Sequence, residues 1–286
     1  MTTVLPRITT APKTTSVPAP LAQPKKPKHS SAWFPPLVVT ILMLSAWYLA
    51  SYVFLDVSQR FLMPPPHTIF TEAFFIPETA TDIGLATFRS TIVALIGLAI
   101  AIILGVCWAI AMSQARWLEK ALFPYAVILQ CVPILALVPL IGFWFGFEYP
   151  ARVIVCVMIA LFPMVSNTLF GLQSVEKGQR ELLQLQGASR WAILTKLELP
   201  TALPAMFAGM RISAGLSVVG AIVGDFFFRR GEPGLGALIS NYQARLQSQE
   251  LFAGILAASL LGIVIFTAFG WLSRAIVGKW YEPSSR

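Results

Sequence analysis

Residues able to make or break bonds are sparse in this chain of 286 residues, and none of them is grouped for the task. The histidines are His29, in a Pro- and Lys-rich N-terminal stretch, and His67, between apolar runs, while Cys107, Cys131 and Cys156 all fall inside apolar runs without ligand-type spacing. A thiol in such a run behaves as a small hydrophobe, so neither a disulfide framework nor a metal site is expected. The 13 acidic residues lie between the apolar runs or at their edges, which counts against proton or sodium coupling by carboxylates at membrane depth. A Gly-x4-Gly-Lys-Ser/Thr phosphate loop is missing, because Gly278-Lys279 lacks both the first glycine and the hydroxyl residue; the chain is not expected to hydrolyse ATP alone. Catalysis is the weakest functional class, and no cofactor is expected within the chain itself.

What chemistry remains is recognition by polar groups lodged in or beside apolar runs: Gln130, Asn167, Ser213 and Asp225. A polar side chain there carries a cost and often a use, either lining a translocation pathway or bonding a neighbouring helix. Arg211 lies just inside another run, where snorkelling to the interface or capture of carbonyl oxygens would each account for it. Gly209, Ser213, Ser217, Gly220 and Gly224 repeat at spacings of four, four, three and four, which places them on one helical face. Such a face favours close packing of membrane helices, with ligand contact the alternative.

The elements that carry these residues follow from composition. With 56% hydrophobic and 12% charged residues, and a mean hydropathy of +0.72, the chain reads as an integral membrane protein. Runs long enough to cross a ~30 Å hydrocarbon layer cover about 34 to 55, 89 to 112, 122 to 145, 151 to 171, 202 to 224 and 251 to 275. An all-α protein of about six transmembrane helices is expected. With the N-terminus cytoplasmic, fourteen Lys and Arg fall in inside segments and six in outside segments, with Arg211 left in the fifth run; both termini are therefore expected in the cytoplasm. The net charge of +8 then reads as an orientation and membrane-surface signal, not as a nucleic-acid footprint.

Residues 1–32 hold Pro, Thr, Ser and Lys without an acidic residue, a composition that cannot bury a core. They read as a disordered cytoplasmic tail, 33–280 as the transmembrane domain and 281–286 as a second tail. The first run is expected to be an uncleaved anchor with Trp33 at the inner interface. Residues 56–87 read as an external loop with one short helix, broken by Met63-Pro-Pro-Pro66. Pro124, Pro133 and Pro139 should kink or break the third run, shaping it or lining a pathway with it.

Between the fourth and fifth runs, about 175–200, the pattern changes. Glu181-Leu-Leu-Gln-Leu-Gln-Gly187 is a short amphipathic helix that Gly187 can close in a left-handed conformation. Ser189 can cap a second helix carrying Trp191, Ile193, Leu194 and Leu197, which Pro200 should stop. Thr201 and Pro204 can then start the fifth membrane helix. Two short helices exposed in the cytoplasm are shaped to be gripped; the alternative is a loop lying on the bilayer with its apolar residues as anchors.

Glu181, Gly187, Leu197 and Leu199-Pro200, at these spacings, resemble the Glu-Ala-Ala-x3-Gly-x9-Ile-x-Leu-Pro signature of the permease subunits of bacterial ABC importers, with Leu182 and Leu183 in place of the alanines and Leu197 in place of isoleucine. From about residue 60 onward the chain looks most similar to the nitrate, taurine and alkanesulfonate group. Cys131-Val-Pro-Ile-Leu-Ala-Leu-Val-Pro-Leu140, Phe143-Trp-Phe-Gly146, Phe162-Pro163 with Asn167, Gly187-Ala-Ser189, Leu199-Pro-Thr-Ala-Leu-Pro204, Gly209-Met-Arg-Ile212 and Gly234-Leu-Gly236 carry the likeness. Gly224-Asp225 stands where many of that group have Ala-Glu.

The resemblance implies a type I ABC importer permease fold in a bacterial inner membrane. It further implies a pathway shared with a second permease subunit, expected to be identical, and an ATPase dimer that binds ATP and Mg and grips the hairpins. An extracytoplasmic binding protein would deliver a small anion such as nitrate, sulfonate or bicarbonate, or a vitamin precursor. Glu181, Gly187, Ser189, Arg190, Leu197 and Pro200 become the expected ATPase-coupling residues. The rival reading is a secondary transporter or channel that needs no ATP.

Overall fold

A computed structural model describes residues 34–228 and 230–278; the 1–32 tail, Trp33, Arg229 and the 281–286 tail lie outside them. The chain divides into two units, Met1–Ser45 and Ala46–Arg286. The described part of the first is the opening of α1 (Phe34–Leu49), where Pro35 and Pro36 stand in a first turn that has no use for their missing N–H and the Thr40 hydroxyl donates back to Pro36 O at 2.9 Å.

The second unit is helical throughout its regular structure, among the described residues. A π-turn, Ala50–Phe54, and a 3-10 turn, Val57–Leu62, lead to α2 (Pro66–Ile69) and a second π-turn, Phe70–Phe74. Then follow α3 (Pro77–Ser113), α4 (Arg116–Cys131), α5 (Ile134–Phe145), α6 (Tyr149–Gln173), α7 (Lys177–Leu185), α8 (Arg190–Ile193), α9 (Leu199–Phe227), α10 (Leu235–Ala244) and α11 (Ser248–Val277). Among the described residues, five helices are long and apolar enough to cross a membrane, six when the bent pair α4 and α5 counts as one.

Three sequence expectations are corrected. Residues 77–87, expected in a loop, are already helical, because Pro77 and Glu78 supply a helix start and α3 buries Ile83 and Ala86. The three prolines of the third run do not act alike: Pro124 and Pro139 stay inside α4 and α5, and the chain turns by 99° only between Cys131 and Ile134. There Val132 is extended, at φ −66° and ψ 126°, the region to which a following proline drives its neighbour. Pro200 does not stop the second hairpin helix either. A π-turn, Leu194–Glu198, runs directly into α9, so Arg190–Phe227 forms one 38-residue helix. The wider turn accommodates a proline lacking its N–H, and Thr201, instead of capping a new helix, donates to Leu197 O at 2.7 Å.

α6 lies between α3 and α9 and packs most heavily against them. The expected small-residue face of α9 makes this approach: a Cβ on Gly220 would lie 2.7 Å from Cys156 Cα, and one on Gly224 would lie 3.1 Å from Arg152 Cα. On the other side, Gly105 of α3 leaves room for Met164. In lipid, where apolar burial between helices gives little drive, such backbone contact supplies dispersion energy instead. The outward faces carry exposed Leu95, Ile103 and Leu104 on α3 and Leu260, Ile263 and Val264 on α11, as a hydrocarbon solvent demands.

Candidate functional site

The hairpin is assembled from local signals. Gly187 closes α7 at φ +76°; its N–H donates to Gln184 O and that of Ala188 to Leu183 O, each at 3.0 Å, satisfying carbonyls that a helix end otherwise leaves open. The Ser189 hydroxyl accepts from Ala192 N at 3.2 Å and caps α8. Apolar Ile193 and Leu194 are buried, whereas Leu182, Leu185 and Trp191 are 57%, 86% and 69% exposed. Glu181 and Pro200 are exposed with them, and Leu197 is half-buried.

Two bonds that spacing did not reveal fix this hairpin to the membrane helices. Arg180 pairs with Glu198, tying α7 to the π-turn below α9. Arg190 Nη1 donates to Gln114 O at 2.6 Å, at the C-terminal end of α3, where open carbonyls and the helix dipole favour a cation. Arg190, expected to touch a partner, thus braces the fold internally. Glu198 is buried, so the Arg180 guanidinium supplies the cation that its carboxylate needs there.

The four polar residues expected near a pathway are not brought together. The Asn167 amide donates to Pro163 O at 2.8 Å within α6 and abuts Gly209. Ser213, fully buried, donates to Ala160 O at 2.7 Å and so clasps α9 to α6. Gln130 is exposed and borders a cavity of about 370 Å³ where the α4–α5 break meets α6 and α9, lined also by Val132, Met158, Phe162 and Leu216.

Asp225 sits at the end of α9 away from the hairpin, with no solvent exposure. Arg152 Nη1 lies 3.1 Å from its Oδ1, and Ser90 of α3 donates to its Oδ2 at 2.7 Å. The Ser90 hydroxyl accepts in turn from Leu235 N at 2.8 Å, so α3, α6, α9 and α10 meet at one carboxylate. Arg152 also donates to Phe228 O at 2.8 Å, Arg230 O at 2.9 Å and Glu232 O at 3.0 Å, holding the turn that leads into α10. A Cβ on Gly234 would run into the Asp225 carboxylate, and one on Gly236 into Ile222 O, with the Asp225 Cβ next at 2.8 Å. Arg152 is one of the six Lys and Arg counted in the outside segments; a lone arginine one turn into an apolar helix, at the same membrane end as Asp225, was the available sign of a pair.

Against known proteins, the family model for binding-protein-dependent transport system inner membrane components matches residues 97–280, from within α3 to beyond α11. The formylaminopyrimidine transport permease protein of Halalkalibacterium halodurans is 29% identical over 250 residues, 87% of this chain and 97% of that protein. The riboflavin transport system permease protein of Chloroflexus aurantiacus is 34% identical over 168 residues, 59% of this chain and 62% of that protein. The bicarbonate transport system permease protein of Synechococcus elongatus is 28% identical over 227 residues, 75% of this chain and 81% of that protein.

Proposed function

We propose, because this chain belongs to the binding-protein-dependent transport system inner membrane components, that its α7–α8 hairpin is the surface through which a separate ATPase drives solute across the membrane. The chain is a multi-pass permease subunit of an ABC importer, similar to permeases for varied small solutes. The partner ATPase dimer, a second and identical permease chain, an extracytoplasmic binding protein, and cytoplasmic placement of the hairpin and both termini are proposals that accompany that membership.

One observation carries the coupling role. The hairpin shows Leu182, Leu185 and Trp191 outward, yet is joined rigidly to the membrane core by the continuous π-turn into α9 and by the bond from Arg190 to Gln114. A pull on such a handle is transmitted to α9 and α3 instead of being absorbed by a loop. ATP and Mg would be held by the ATPase, with Glu181, Gly187, Ser189, Leu197 and Pro200 shaping or forming the contact and Arg190 anchoring it.

The solute path is proposed to pass the cavity at the α4–α5 break. Its lining is apolar apart from the Gln130 amide and holds no charged side chain. Burying an anion without a cation is costly, which favours an uncharged heterocycle of the vitamin-precursor kind over nitrate or bicarbonate.

Gly187 provides the test. A Cβ there meets nothing within 4 Å, so substitution acts through backbone conformation alone. Gly187→Val, β-branched at positive φ, should destabilise the closed turn by about 1–2 kcal/mol and slow ATP-driven uptake roughly tenfold with membrane insertion unchanged. Gly187→Asn, whose side chain tolerates the left-handed region, should keep most of the activity. Equal uptake by both variants would remove the hairpin from the coupling path.

A further inference from the structure

Between α9 and α11, in the halves nearer the hairpin, lies a groove of about 630 Å³ that neither the hairpin nor the Gln130 cavity uses. Arg211 and Arg274 line it together with the hydroxyls of Thr267 and Ser273, and no carboxylate does. Among the described residues neither arginine has an ion-pair partner, and both are exposed. The Arg211 guanidinium lies 4.1 Å from the centroid of the Phe266 ring, which covers one face of the cation and leaves its N–H edge open. Gly270 makes this placement fit: a Cβ there would come 3.1 Å from Arg211 Nε and 3.3 Å from Cζ.

The depth of the groove bears on what fills it. Arg274 is in the last turn of α11, and Arg211 is ~18 Å along α9 from its hairpin end at 1.5 Å per residue. The groove thus opens at the membrane surface and runs inward along Phe266. A guanidinium at this level is costly unless paired, and charge-assisted bonds to phosphate oxygens are the pairing its planar fork suits best. Basic grooves between membrane helices take anionic headgroups on the same grounds.

We propose that this groove is an oxyanion site occupied by the phosphate of an anionic phospholipid, with Arg211 and Arg274 on the headgroup and an acyl chain along Phe266. Full-length protein in dodecyl maltoside, an uncharged detergent, is titrated with dioleoylphosphatidylglycerol, with dioleoylphosphatidylcholine and separately with inorganic phosphate, and retained molecules are counted by native mass spectrometry.

Wild type is expected to retain phosphatidylglycerol in preference to phosphatidylcholine. Arg211→Gln/Arg274→Gln should bind it about thirtyfold more weakly, at ~1 kcal/mol for each basic residue, whereas Arg211→Lys/Arg274→Lys should keep most of the binding. Gly270→Leu, which fills the groove without changing charge, should lose the lipid as well. Equal retention by wild type and either the glutamine double variant or Gly270→Leu would overturn the site. So would retention of phosphatidylcholine as strong as that of phosphatidylglycerol. Arginine-dependent binding of inorganic phosphate without any binding of phosphatidylglycerol would overturn the lipid assignment and leave a free oxyanion as the occupant.

Discussion

Arg152→Met is expected to lower the fraction of chain that accumulates folded in the membrane more than any other single substitution in the four-helix meeting point. Asp225 has no solvent exposure, so removing its cation leaves a buried, uncompensated carboxylate, a loss of roughly 3–5 kcal/mol where one partner of a buried pair is deleted. Three carbonyls, of Phe228, Arg230 and Glu232, lose their donor in the same step. Asp225→Leu should be severe but milder, because Arg152 keeps those three acceptors. Asp225→Asn should be the mildest, since an amide oxygen can still accept from Ser90. The double variant Arg152→Met/Asp225→Leu should be more stable than the sum of its parts, as deletion of both charges removes the uncompensated one. Thermal unfolding in detergent reads the order; Arg152→Met as stable as Asp225→Asn would mean that the carbonyl bonds and the ion pair contribute little.

Gly220→Leu is the second large effect. Its Cβ would stand 2.7 Å from Cys156 Cα and 3.2 Å from Cys156 N, and backbone cannot swing aside as the end of a side chain can. α6 and α9 must then separate, and α6 has α3 behind it, where Gly97 already leaves room for Cys156. Overpacking typically destabilises by about 1–3 kcal/mol when side chains alone must yield, and the loss here should reach or exceed the upper end. Gly215→Leu is the matched control on the same helix, because its nearest neighbour is Phe266 at 3.8 Å. Unfolding temperatures should fall sharply for the first and little for the second; equal losses would mean that helix propensity, not close approach, dominates.

The membrane class, the crossing helices and the hairpin were legible in the sequence because each depends on local pattern. Length of apolar run sets the spans, Gly187 and Ser189 sit where a left-handed residue and a cap are required, and the small residues of α9 fall on one face. What local pattern cannot report is which partner a residue meets. Pro133 breaks its helix while Pro124 and Pro139 do not, and Pro200 is absorbed by a π-turn, because neighbouring packing decides whether a freed carbonyl is tolerated. Asp225, Ser213 and Asn167 stand out in the sequence as costly polar groups, yet their partners Arg152, Ala160 and Pro163 follow from helix apposition and turn periodicity that hydropathy does not encode. α10, mixed in composition and only 10 residues long, gives no span signal, so the element that closes over Ser90 and Asp225 was not expected.

If a separate ATPase drives this permease through its hairpin, affinity purification of the full chain from its own membranes recovers the two together. Wild type should bring down an ATPase carrying a phosphate loop and, in reconstituted vesicles with the binding protein, should import solute only when ATP is supplied. Leu182→Glu/Leu185→Glu, which places two charges on an exposed apolar face without touching the bonds that hold the hairpin, should insert normally, lose the ATPase and import at least about tenfold more slowly, as disruption of a central interface contact commonly does. Undiminished ATPase retention by that variant would remove the hairpin as the docking surface, and solute import by the wild-type chain in vesicles free of any ATPase would rule out ATP-driven transport.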